Sequence, residues 1–267
     1  MPRSRQTIVE TSKHLDSLEK LPQTVVAYGR DLQQGDVLPF HSHRRGQLVY
    51  ASNGIMNVTT HRASYTVPPQ RAVWMPPGIE HQISAQSPLN MRTLYIDSEA
   101  ATNLPGEVCV LQVTILLREL IVAAVASGPG FEPDSPQSRI ISVILDLIPT
   151  QSIAALKLPL PSDPRLRRVT KALIDNPADL RDLDQFSQQV GASKRTLVRL
   201  FPDQTGMTFS EWRQQRRLSY ALELLKTGES VTSIALETGY DNPSAFIAMF
   251  KRCLGTTPMR YLKTSMS

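Results

Sequence analysis

The chain has 267 residues, 41% of them hydrophobic and 20% charged, with a formal net charge of +5 and two cysteines. That length suits one large domain or two ordinary ones with real cores. Two distant thiols, Cys109 and Cys253, exclude a disulfide framework, and the absence of any apolar run of about 18 residues excludes a membrane-spanning helix.

The opening stretch, MPRSRQTIVETSKHLDSLEK, lacks the apolar core of a secretory signal, so the cytoplasm is the expected compartment. Charge is unevenly placed. Residues 1–161 carry 13 Lys+Arg against 13 Asp+Glu, whereas 162–267 carry 16 against 11. All five histidines lie in the neutral part. A basic module beside a neutral, histidine-bearing one suggests that one meets a polyanion and the other does chemistry or sensing.

Residues from about 24 to 97 read as strands. QLVYA, IMNVTT, SYTVP, AVWMP and MRTLYID alternate apolar and polar residues. They are separated by the turn signals Asn53-Gly54, Pro68-Pro69, Pro76-Pro77-Gly78 and Ser87-Pro88. Many short strands at even spacing predict a barrel or sandwich. Residues i and i+2 of a strand share a face, so His41 and His43 of LPFHSHRRGQLVY project together.

Residues 108–126, VCVLQVTILLRELIVAAVA, are too long and apolar for a strand and predict a helix. SRIISVILDLI (Ser138–Ile148) predicts a second helix, across the turn SGPGFEPDSP. The first carries apolar side chains on more than one face: Val110, Leu111, Ile115, Leu117, Leu120, Ile121 and Val125. One face can cover the barrel. The rest fits a second copy of the chain, hence an expected homodimer, or else the helix at Ser138–Ile148. KLPLPSDP (Lys157–Pro164) holds three prolines in eight residues and predicts a stiff linker. The expected organisation is α+β with two domains, 1–156 and 165–267, joined by 157–164. Helices at 108–148 follow the β-barrel, and the C-terminal domain is all-α.

The last hundred residues repeat themselves. LDQFSQQVGAS (Leu183–Ser193) is similar to VTSIALETGYDN (Val231–Asn242), and each predicts an amphipathic helix ending at a glycine, Gly191 or Gly239. The second helices end in the tails FPDQTGMTFSEW and FKRCLGTTPMRY, which share Phe, Gly, Thr and a final aromatic at an offset of 49 residues. Ser187 and Ala235 supply the small residue that lets the second helix pack close, while Ser193 and Asp241 or Asn242 can cap it. Each repeat fits a helix-turn-helix. SVTSIALETGYDNPSAFIAMFKRCLGTTPMRYL then resembles the signature of AraC/XylS-type transcription regulators, over roughly residues 165–263.

The resemblance implies promoter DNA as partner, with RNA polymerase a further partner if the protein is an activator. In a helix-turn-helix the second helix enters the major groove and its first turns face the bases. In the first unit these positions are Lys194, Arg195, Thr196, Val198 and Arg199, and Arg195 and Arg199 share a face. Arg199 is the expected base reader, with Arg195 beside it. In the second unit the family's reading positions hold Pro243, Ser244, Ala245, Ile247 and Ala248, none with a long hydrogen-bonding side chain. Lys251 and Arg252 follow and suit phosphates, so specificity is expected in the first unit. Pro202 predicts that the first reading helix ends or kinks near Phe201.

GDVLPFHSHRRGQLVYASNG (Gly35–Gly54) resembles the first cupin motif, with Gln47 where that family has Glu. PPGIEHQIS supplies Pro76, Gly78 and His81 of the second motif, while Gln70 and Ala85 replace its outer Gly and Asn. The resemblance implies a cupin-like barrel with His41, His43, Gln47 and His81 gathered inside. Three imidazoles and an amide suit a divalent transition metal such as zinc, nickel, iron(II) or copper. An organic anion, or histidines serving only as barrel filling, are the alternatives. His14 and His61 match no motif and read as surface residues. The expected role is sensing of a small molecule or metal. The alternative is a metalloenzyme, an oxygenase or isomerase; cupin enzymes usually keep the carboxylate that Gln47 replaces.

Overall fold

The structure, a computed structural model, describes residues 17–18, 20–153, 156–225 and 227–266. The chain forms two compact units: 1–60 with 65–155, and 156–267 with residues 61–64. His14 lies outside the described residues, and His61 is exposed. No helix among the described residues is long and apolar enough to cross a membrane.

Among the described residues before helix α1 (Ile115–Ala126), the chain forms β1 (Val25–Leu32), β2 (Val37–His41), β3 (Gly46–Asn53), β4 (Met56–Thr60), β5 (Ala63–Val67), β6 (Arg71–Met75), β7 (His81–Ala85), β8 (Leu89–Ile96) and β9 (Cys109–Gln112). One sheet runs β1-β8-β3-β6-β9, and a second carries β5-β4-β7-β2. Pairing is antiparallel throughout the first sheet and on both sides of β7. Alternation gives the first sheet two buried faces. Leu48, Tyr50, Ala72, Trp74, Leu94 and Ile96 lie on one face, packed with Leu117, Ile121 and Ala124 of helix α1 (Ile115–Ala126) and Ile141 and Ile144 of α2 (Pro136–Leu147). Gln47, Val49, Thr93 and Tyr95 take the other face, and all four are buried. Trp74 is fully buried and its indole N–H donates to the Pro105 carbonyl at 2.7 Å.

The apolar run 108–126 is not one helix. Its first part is β9, paired with β6 from Trp74↔Cys109 to Arg71↔Gln112. The helix starts at Ile115, where the Thr114 hydroxyl accepts from the Leu117 amide at 3.3 Å. The cap sets the boundary that hydropathy alone blurs. On α1, Leu117 and Ile121 are buried while Ile115 and Leu116 are 77% and 58% exposed.

The second unit contains α3 (Pro164–Asp175), α4 (Leu183–Val190), α5 (Lys194–Thr205), α6 (Phe209–Leu225), α7 (Val231–Glu237), α8 (Pro243–Leu254) and α9 (Pro258–Met266). The stretch 157–164 is not a free linker. Lys157–Pro159 form the short strand β10, and Leu158 is buried in the core made by Leu166, Phe186, Phe201 and Trp212. The Trp212 indole N–H donates to the Pro159 carbonyl at 2.7 Å. Prolines suit this segment because an extended, packed strand end requires few backbone donors.

Helix α5 runs through Pro202 to Thr205 and closes on Gly206, instead of ending near Phe201. Proline forfeits the bond to the carbonyl four residues back, on Val198, a residue 52% exposed. Past the proline, the Thr205 hydroxyl donates to the Phe201 carbonyl at 2.7 Å and the Gly206 amide to Pro202 at 2.9 Å. With Phe201 and Thr205 buried, packing outweighs the one lost bond.

Three cations of α6 are structural. Arg213, Arg216 and Arg217 donate to the carbonyls of Arg181, Ile174 and Pro177 at 3.1, 3.1 and 3.2 Å. Arg217 also stacks over Tyr240, 5.3 Å from its ring centre, and lies against the turn glycine Gly239. Part of the basic excess therefore braces the unit.

Candidate functional site: a histidine pocket and two reading helices

His41 ends β2, His43 follows it, and His81 opens β7, directly opposite His41 in the strand pairing. Ring centres of His41 and His81 stand 4.4 Å apart, those of His43 and His81 5.1 Å, and those of His41 and His43 5.6 Å. One ring nitrogen of each lies within 4.8 Å of the others. His43 and His81 are buried, and His41 is half-buried.

Each ring is latched to backbone two residues away. Nδ1 of His41, His43 and His81 lies 2.7, 3.1 and 2.9 Å from the carbonyls of Pro39, Arg45 and Ile79. A carbonyl only accepts, so each Nδ1 carries a proton, and in the neutral ring Nε2 is then the nitrogen left with a lone pair. Nε2 of His81 is buried without a hydrogen-bond partner. Burial lowers the His41 pKa, an effect opposed by the Pro39 hydrogen bond. Burial and then the neighbouring His41 push His81 down to about 3. His81 is therefore neutral at ordinary pH.

Gln47 sits on β3 opposite Tyr95, on the face turned toward the barrel interior. Its Nε2 donates to the Thr93 hydroxyl at 3.0 Å, and that hydroxyl donates to the Leu48 carbonyl at 3.1 Å. Gln47 Oε1 is buried with no hydrogen-bond partner. Thr93 and the three latching carbonyls were not legible in the sequence; their roles exist only once β3 meets β8 and each loop closes. Tyr95 meets the His43 ring edge-on at 5.1 Å.

These groups fit a metal ion. Neutral imidazoles with fixed tautomers are the form that binds metals, and hydrogen bonds from the far nitrogen are what orients them. With bonds of about 2.0–2.1 Å, tetrahedral geometry sets nitrogens about 3.4 Å apart, so a short inward movement suffices.

In the second unit, Gly191 ends α4 at φ +68 and Ser193 caps α5; Gly239 follows α7 at φ +77 and Asn242 caps α8. On α5, Lys194, Arg195, Val198 and Arg199 are exposed. Lys194 pairs with Asp184, and Arg199 pairs with Asp203 at 3.2 Å. Thr196 is half-buried and its hydroxyl lies 2.9 Å from that of Ser193, so it serves the cap. On α8, Ser244, Ala245 and Ala248 are exposed, while Pro243 and Ile247 are half-buried. Lys251 and Arg252 are exposed, and Arg252 donates to Gln214 at 2.7 Å.

Comparison with known proteins agrees with this division. Residues 24–158 match the AraC-like ligand binding domain, and residues 186–264 match a helix-turn-helix domain. The HTH-type transcriptional regulator NimR of Escherichia coli K12 is 37% identical over 224 residues, covering 84% of this chain and 82% of that protein. The HTH-type transcriptional regulator RipA of Corynebacterium glutamicum is 36% identical over 132 residues, covering 49% of this chain and 37% of that protein. Among solved structures, apo ToxT of Vibrio cholerae covers 90% of this chain and 97% of its own at 13% identity, with a TM-score of 0.40, too remote to bear on ligand or mechanism. A chain with an AraC-like ligand-binding domain, two capped helix-turn-helix units and a regulator relative matched over most of both lengths belongs to the AraC family of DNA-binding transcription regulators.

Proposed function

We propose that this regulator senses a metal ion, alone or with a small molecule, in the pocket of His41, His43, His81 and Gln47, and reads promoter DNA chiefly through α5. The observation that carries the sensing reading is the set of three latched imidazoles, with a bare acceptor on His81 and another on Gln47. Such a set is expensive as barrel filling, because a buried acceptor without a partner costs about 1–3 kcal/mol. A divalent ion bound among the three histidines would give the His81 acceptor its missing partner. Relatives named as regulators favour sensing over turnover at this site.

For DNA, α5 offers exposed Arg195 and Arg199 with Val198 between them, suited to guanine edges and a thymine methyl. The exposed N-terminal face of α8 offers a hydroxyl and small methyls, which suits close backbone approach with little selectivity. Ile115 and Leu116 of α1, with Val143 of α2, remain exposed and suit a homodimer contact.

Elemental analysis of the purified full chain, with DNA binding measured with and without chelator, tests the sensing reading. The expected result is stoichiometric metal and a chelator-sensitive DNA response, both lost in His41→Ala, His43→Ala. A metal-free protein that also fails to bind added zinc, nickel, iron(II), cobalt(II) or copper ends the metal reading.

A further inference from the structure

We infer that Gln47 leaves the pocket short of negative charge, so that a metal held there takes a small anion as its remaining ligand. The inference rests on the metal-sensing reading above. No donor in the cluster brings a negative charge. Each imidazole gives its Nδ1 proton to a carbonyl, which leaves Nε2 as the nitrogen a metal would take. The amide is oriented by Thr93. Because the Thr93 hydrogen is committed to the Leu48 carbonyl, only an N–H can face that hydroxyl oxygen, which leaves Oε1 as Gln47's free end. Among the described residues the cluster consists of histidines alone, with no carboxylate or thiolate joining it.

A divalent ion would therefore bring two uncompensated charges among buried groups, since His81 is fully buried and His43 nearly so. Charge without a counter-charge is disfavoured in a poorly solvated site. A histidine-only metal centre with an open position relieves this by holding hydroxide or another anion. A carboxylate at position 47 would supply the charge from within; the amide passes that role to an outside ligand. His41, the half-buried member, marks the side open to solvent. The ligand class is a small monoanion with one donor atom for the metal, such as a carboxylate or azide.

Cobalt(II) serves as the probe, because its visible spectrum reports coordination. Full-length protein would be titrated with cobalt in perchlorate, acetate or azide at one ionic strength and pH. Acetate or azide should tighten cobalt binding at least tenfold over perchlorate and change the spectrum saturably. Gln47→Glu should bind cobalt at least tenfold tighter in perchlorate and lose most of the anion enhancement. Equal wild-type affinity and spectra in all three salts overturn the anion inference and leave metal sensing standing. No cobalt binding in any salt, by a wild-type protein with intact circular dichroism, overturns both. The wild-type comparison decides even if Gln47→Glu fails to fold.

Discussion

Arg199 and Asp203 stand one turn apart on α5, both largely exposed, so their ion pair is worth little and yields readily to a base edge. Arg199→Ala should weaken binding to a selected duplex by about 1–3 kcal/mol and relax preference at one base pair, with a smaller loss on random DNA. Ala248→Ser should change neither by a comparable amount. Equal losses on both duplexes, in a competition assay, would place Arg199 on phosphate. His81 makes a separate prediction about pH. Its folded pKa is held near 3, below the ordinary histidine value of about 6.5. The unfolded chain therefore takes up the proton first on acidification. The His81 contribution to stability should be complete above pH about 6.5 and fall by roughly 1.4 kcal/mol per pH unit between there and about 3. His81→Phe should flatten that slope in urea unfolding at several pH values, and an unchanged slope would assign it to other groups.

The turn glycines separate two costs at the scale of the element. A Cβ at Gly191, φ +68, meets nothing, whereas one at Gly239, φ +77, would lie 2.6 Å from Arg217 Nη2 and 3.1 Å from the Ala178 Cα. Gly191→Ala should cost about 1–2 kcal/mol for the left-handed backbone alone. Gly239→Ala should cost clearly more, since it also displaces the arginine clamp. Thermal unfolding of the two variants checks this, and equal midpoints would show that Arg217 moves aside freely. Element boundaries also show what the sequence could carry. QLVYA and MRTLYID were legible as strands because alternation is local. Val108–Ala126 was not divisible by hydropathy, since β9 and α1 are both apolar and only the Thr114 cap and the pairing of Trp74 with Cys109 part them. Pro202 misled because its cost is local, whereas the burial of Phe201 and Thr205 that overrides it is tertiary.

For the molecule as a whole, the histidines and the double helix-turn-helix were legible because their spacing in the chain is itself the signal. The latching carbonyls, Thr93 and the packed role of Leu158 depend on contacts that spacing does not encode. Leu158 bears on where the C-terminal unit can be cut. A fragment 156–267 should fold and bind DNA with an affinity that falls steeply with salt, as phosphate contacts release counterions. A fragment 161–267 loses buried Leu158 and the Pro159 acceptor for Trp212, and should be less stable by about 2–5 kcal/mol. Matching melting curves for the two fragments would return 157–160 to the status of a linker. The two indoles give the intact chain a further use. The protein has two tryptophans, one in each unit, both fully buried and each bonded through its N–H to a proline carbonyl. Trp74→Phe leaves an emission spectrum belonging to the DNA-binding unit alone, and Trp212→Phe one belonging to the ligand-binding unit. Fluorescence can thus report which half melts first, and which half feels a ligand added to the other, without any label attached.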